Sequence, residues 1–520
     1  MSMQASDPST SAGTVSESEF QHLIGRRARP LIRVAGYLLD QPVPIEAMTR
    51  PMVGRFFAEA TQLEELLDRY GARSNRRWHR FRSLTAACKS FGEVGYELLH
   101  LRDALPTYRL LPIDQDFQQA TLQTLGYVAE VLVDVSARLV AAAKELSLPV
   151  AANRLPVGGM GEQLPPGRLG QDREARAIEA VSEAVTRLAT SFLNLGADNV
   201  WIQAAGAAST QEYQGLMGDP ISEEHLRIVQ HRFHNLQSVY DTYIAATNTA
   251  RTDTDLRVLR GHISVVFHLL KTGTALAHYH ERHVAAQASG GSGADEVFVD
   301  PARLLDALIR YSLAFAGRFI AAPRELCQVK LRQYTQVGCV SVPVPRYRGF
   351  HVRPSTLVAK IVLHYGSDVR MLLDDEEYDA STPIEIFRAN EKINAWKRRW
   401  LCTQVARLPL FRNGADDVRM AAREALAHLI ESRLVVAYEN PIRWPEDLVT
   451  AEGTVMERVI VELTRLQATG KIDIETDMSI TFVGDRRVLA DLELLARHGY
   501  GEDSLGNNVP LPGALAYLRR

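Results

Sequence analysis

The run Arg348-Gly349-Phe350-His351-Val352-Arg353-Pro354-Ser355 holds the most informative chemistry of the 520-residue chain. It follows VGCVSVPVP (337–345), which reads as a strand, and precedes an apolar-periodic segment that reads as a helix over 352–364. His351 then falls at the helix N-cap, ahead of two backbone N–H groups, on Val352 and Arg353, that have no intrahelical acceptor. The helix dipole adds partial positive charge there, and Arg353 adds a guanidinium that can grip an anion at two points. Pro354 fits the first turn, where its missing N–H is not needed. The dipole and Arg353 both favour neutral imidazole over imidazolium. Neutral imidazole is the nucleophile that phosphoryl transfer uses, and the same groups would then hold the dianion. The bland alternative is a helix-capping histidine beside a surface arginine.

Other clusters read more simply. Asp374-Asp375-Glu376-Glu377 is a solvated hairpin turn rather than a metal site, because adjacent acids on a turn splay apart. Arg73, Arg76, Arg77, Arg80 and Arg82 interleave with Trp78, His79 and Phe81, a mixture found in single-strand binders, but an exposed face pairing with carboxylates is the better reading. Trp396-Lys397-Arg398-Arg399-Trp400 reads as a helix end that docks a partner or another domain, with nucleic acid as the alternative. Of His278, His280 and His283, only the last two share a helix face, so no metal is expected. No cofactor is called for, and no P-loop, HExxH or strand-following GxGxxG is present.

These residues need scaffolds. The length predicts several domains, and 46% hydrophobic with 23% charged residues is an ordinary globular composition. Lys plus Arg is 59 against 62 Asp plus Glu, so the net charge of −3 argues against a polycation that wraps nucleic acid. The four cysteines, Cys88, Cys327, Cys339 and Cys402, form no CxxC pair and read as reduced thiols. No basic, apolar leader opens the chain and no apolar run approaches ~20 residues, so a cytoplasmic protein without a membrane span is expected.

Along the chain, 1–18 reads as a disordered tail, 19–150 as a helical region, and 151–171, with five glycines and three prolines, as a linker. Helical pattern resumes over 172–287, with Leu256, Leu259, Ile263, Val266, Phe267 and Leu270 on one face. A Gly/Ser linker (288–297) and a helix with its connector (298–335) follow. From 336 to 436 helices and strands alternate, with QVARLPLF (404–411) taken as a strand before a helix at 416–432. Residues 437–520 read as a small α/β C-terminal region. The expected class is multidomain: large helical regions, then an α+β domain, then that region.

With those elements in place, about residues 337–435 resemble the HPr phosphocarrier domain of the bacterial phosphoenolpyruvate-dependent phosphotransferase system. Gly349, Phe350, His351, Arg353 and Pro354 match its G-[LF]-H-x-R-P motif. The resemblance implies an open-faced βαββαβα sandwich, phosphorylation of His351 on Nδ1, and Arg353 as charge partner. It also implies an enzyme I-like donor and an enzyme IIA-like or other acceptor, with a carrier's role rather than a turnover enzyme's. Thr382, 31 residues after His351, stands where the family has a regulatory serine, so it is a simple N-cap or a phosphosite; Ile384 and Phe387 would dock partners. Ser355 replaces the usual alanine, Val352 is bulkier than the usual residue, and roughly Lys392 to Thr403 is extra. A scaffold that keeps the fold but not the chemistry is the competing expectation.

Overall fold

Capping chemistry and apolar periodicity account for the helices of the N-terminal part. Ser16 and Glu19 form a reciprocal capping box that opens the helix Glu17–Arg27. Thr49 caps Arg50–Arg69, with Pro51 in its first turn, and Asp116 caps Phe117–Glu145. The computed structural model describes residues 14–150, 181–285, 298–411, 417–439, 441–449 and 452–519. It divides into two compact units: residues up to Ala184 with Ser191–Cys327, and Val185–Thr190 with Gln328 onward.

The first unit is built of helices. Arg50–Arg69 and Phe117–Glu145 both pack on His79–Ala104, which packs on Asp255–Tyr279, and that helix packs on Glu223–Tyr243. The face of Asp255–Tyr279 is as the periodicity predicts: Leu256, Leu259, Ile263, Val266 and Leu270 are buried and Phe267 is partly so. Trp78 and Phe81 are buried, while Arg77 pairs with Glu17, Arg80 with Glu145, and Arg82 with Asp68 and Glu64. Those aromatic rings lie inside and offer no stacking platform.

The second unit contains a four-stranded antiparallel sheet. In chain order its elements are β1 (Val337–Pro343), α1 (Val352–Tyr365), β2 (Val369–Leu373), β3 (Glu376–Asp379), α2 (Pro383–Ala406), α3 (Val418–Glu431), β4 (Val435–Ala437), α4 (Val455–Ala468), β5 (Ile472–Ile474), β6 (Ser479–Asp485) and α5 (Arg486–Arg497). The sheet order is β1-β6-β2-β3, while β4 and β5 form a separate antiparallel pair. Alternation sets the faces: Ile480 and Phe482 of β6 are buried, whereas Ser341 and Thr481 meet across the strands at 2.8 Å on the side away from that core. Asp374 and Asp375 form the two-residue turn between β2 and β3, whereas Glu376 and Glu377, expected in the same turn, begin β3.

Two cores result. The first joins the sheet to α1, α5 and the start of α2 through Phe350, Val358, Met371, Ile386, Ile393, Phe482 and Leu492. The second joins the end of α2 to α3, α4, β4 and β5 through Leu401, Val405, Leu429, Leu463 and Ile472. Helix α2 spans both, turning one apolar set into each.

The helical regions with a smaller α/β part are as expected, but several boundaries are not. Residues 404–411 are no strand: they end α2 and enter a 3-10 turn at Pro409–Phe411. Leu401, Val405 and Leu408 recur at helical steps, and burial in the second core selects helix over the alternating reading. Residues 437–520 are not a separate region, since β6 lies between β1 and β2. The first sheet is therefore interrupted, between α2 and β6, by an inserted second core. The tail expected at 1–18 is shorter, because helix begins at Glu17; residues 1–13, the linkers at 151–171 and 288–297 and the helical start at 172–180 lie outside the described residues. Among the described residues no helix is long and apolar enough to cross a membrane.

Candidate functional site

The loop before α1 has an unusual backbone. Arg348 and Gly349 both take positive φ, at 56° and 62°. A side chain at Gly349 would collide with the Asn390 carboxamide, so the position needs glycine twice over. Asn390, buried on α2, ties the loop down: Phe350 N–H donates to its Oδ1 at 2.8 Å, and its Nδ2 donates to the Arg348 carbonyl at 3.2 Å. Ser355 completes the brace, its hydroxyl donating to the Phe350 carbonyl at 2.7 Å. Gly349→Ala is expected to destabilise the second unit by at least about 2 kcal/mol, from left-handed strain plus a lost buried hydrogen bond. Gly499→Ala, at a φ of 62° with open space around it, should cost less, and denaturant unfolding of both separates collision from strain.

This brace sets His351 at the N-cap of α1, with its carbonyl accepting from Ser355 N–H at 3.1 Å. The His351 side chain makes no cap hydrogen bond and turns elsewhere. Its Nε2 donates to Glu502 Oε2 at 2.8 Å, and Tyr347 stands edge-on to the ring at 5.4 Å. Because a carboxylate only accepts, Nε2 carries the ring proton, and neutral imidazole then has its lone pair on Nδ1. Nδ1 has no hydrogen-bond partner among the described residues.

Glu502 is 5% exposed and belongs to the segment after α5. Tyr500 anchors that segment, donating to the Pro343 carbonyl at 2.7 Å and packing on Phe350. Arg353 Nε lies 3.7 Å from Glu502 Oε1, and its Nη1 donates to Asn508 Oδ1. The sequence places only positive charge around His351; the fold adds a buried carboxylate shared by His351 and Arg353.

Thr382 is the N-cap of α2, but its side chain makes no capping bond. Val352, 72% exposed, and Phe387 line one cleft with His351, whereas Ile384, 61% exposed, lies outside its lining. The cleft of about 430 Å³ is also lined by Arg348, Asn390, Asn394, Arg398, Gln467 and Asp473. Lys397, from the Trp396–Trp400 run, is buried, its Nζ 2.9 and 3.0 Å from the Asp473 carboxylate on β5, and Trp400 packs on the second core, so this helix end meets the insertion. Asp473 also accepts from Arg348 N–H at 3.0 Å, so the insertion reaches the loop that carries His351.

Glu502, Asn508, Asn390 and Asp473 were not anticipated. Each lies 35 or more residues beyond the motif, and no local spacing marks it. His278 pairs with Glu223, and no group of three metal-ligating side chains occurs among the described residues. Comparison with protein-family models, curated proteins and solved structures finds no match to this chain.

Proposed function

We propose that the chain carries an HPr-like phosphocarrier module, in which an enzyme I-like donor passes a phosphoryl group to His351 Nδ1 and an enzyme IIA-like or other acceptor removes it. The observation that carries the reading is the pairing of Nε2 with Glu502 at a helix N-cap, which leaves Nδ1 as the free lone pair. Connectivity supports it: without residues 407–478, the elements from β1 to α5 run βαββαβα, the order that the resemblance implies. In the transfer, the donor's P–N bond breaks as the Nδ1–P bond forms. Nε2 keeps its proton, which stays hydrogen-bonded to Glu502, and the Val352 and Arg353 N–H groups with the Arg353 guanidinium face the developing dianion.

The exposed apolar residues Val352 and Ile384 favour a second reading, a docking module that does not transfer phosphate. Incubation of the full chain with phosphoenolpyruvate and enzyme I separates the two. A carrier takes up phosphate that is stable in base and lost in acid, as a phosphoramidate is, whereas phosphothreonine at Thr382 survives acid. No uptake beside a working enzyme I favours docking. Arg353→Ala is expected to slow labelling by roughly ten- to a thousandfold, about 1.4–4 kcal/mol of transition-state stabilisation. Arg353→Lys should recover part of the rate, because a point ammonium lacks the planar fork.

A further inference from the structure

The cleft beside His351 has an unbalanced set of polar groups. Several are engaged: Asn390 holds the loop, and Asp473 receives Lys397, Arg348 N–H and Ile474 N–H. Others are not. Among the described residues the Arg348 and Arg398 guanidiniums have no ion pair, and the Asn394 side chain has no hydrogen bond. Gln467, 7% exposed, lines the same cleft with its Oε1 unpartnered. A buried carbonyl oxygen without a donor is destabilising, so a native site supplies a donor. With Asp473 neutralised by Lys397, two guanidiniums face one rim carboxylate, Glu391, and the N-terminus of α1 adds to the positive side. Val352, Phe387, Ala468 and Ile472 add an apolar wall. The volume, about 430 Å³, falls in the range of small-molecule sites and is far too small for a folded partner.

We propose that this cleft binds a small hydroxylated phosphate ester, a sugar or polyol phosphate. The phosphate meets Arg348 and Arg398, and a hydroxyl donates to Gln467 Oε1. The insertion creates the site, since Gln467, Ala468, Ile472 and Asp473 all lie within it. Because His351 lines the cleft, a bound ester competes with phosphorylation; that consequence alone rests on the carrier reading.

The test is calorimetric titration of the full chain with glucose 6-phosphate, glycerol 3-phosphate, inorganic phosphate and glucose. A phosphate ester should bind saturably below about 1 mM, with inorganic phosphate weaker and glucose silent. Arg398→Gln and Arg348→Gln should each weaken the ester by about tenfold or more, as loss of a charge-assisted contact does. Gln467→Leu, a change of similar size, should weaken the esters but not inorganic phosphate. No saturable binding of either ester up to about 10 mM, or unchanged affinity in Arg398→Gln with native circular dichroism, overturns the proposal. The titration is repeated on His351→Ala. Binding there without labelling of the wild type removes the carrier reading and keeps the site; labelling without binding does the reverse. Ester should also slow labelling of the wild type more than of Arg398→Gln, and equal slowing overturns the competition.

Discussion

His351→Ala is expected to lose all acid-labile phosphate uptake from phosphoenolpyruvate and enzyme I, while the second unit still unfolds in a single transition. The loss should be complete because, among the described residues, no second imidazole lines the cleft at the N-cap of α1, and the Glu502 carboxylate beside it cannot form a base-stable phosphoramidate. The loss of stability should stay at about 1–3 kcal/mol, the cost of leaving the buried Glu502 carboxylate without its hydrogen bond, because the ring makes no capping bond and is itself partly exposed, 23% by side chain. Glu502 supplies the graded control. Glu502→Gln keeps an acceptor for Nε2–H and holds the tautomer without the charge, whereas Glu502→Leu frees the ring. The leucine variant should label about 10–100-fold more slowly, the scale on which groups that orient a reacting imidazole act, with glutamine between it and the wild type. Wild-type labelling of His351→Ala would end the carrier reading, and equal rates for Glu502→Leu and the wild type would remove Glu502 from it.

Lys397→Met should be the most destabilising single change in the second unit. Lys397 and Asp473 are 1% and 4% exposed by side chain, so the carboxylate stays largely buried once the ammonium is gone. Breaking one side of a buried pair costs about 3–5 kcal/mol, because the other charge stays uncompensated. For a unit of this size that is a fall of roughly 6–20 °C in midpoint. Asp473→Leu combined with Lys397→Met should recover only part, since Arg348 N–H and Ile474 N–H also lose their acceptor. Thermal unfolding of the three variants decides it, and a loss under about 1 kcal/mol for Lys397→Met would mean that the pair is hydrated. Labelling of His351 should fall in parallel, because Asp473 holds the loop that presents it.

Part of the site is legible in order of residues alone. A strand pattern, a Gly-Phe-His turn and a Pro in the first turn put His351 at a helix N-cap, and all of that is decided within about ten residues. The αL backbone at Gly349 and the cap itself are local properties, as are the acidic hairpin turn and the apolar face of Asp255–Tyr279. Such features follow from sterics and hydrogen bonds between near neighbours, so they survive a reading without coordinates.

The partners do not follow that way. Residues 404–411 carry both a strand-like alternation and helical spacing, and only the second core, built from segments up to 70 residues away, makes the helix win. The strand that completes the sheet is 479–485 because Ile480 and Phe482 find the apolar floor between β1 and β2, a choice made by burial rather than by distance along the chain. Glu502 reaches His351 across 151 residues and Asp473 reaches Arg348 across 125. A carboxylate's role is set by which charge the fold brings beside it. Spacing could name the histidine that would react, but only packing decides which ring nitrogen keeps the proton.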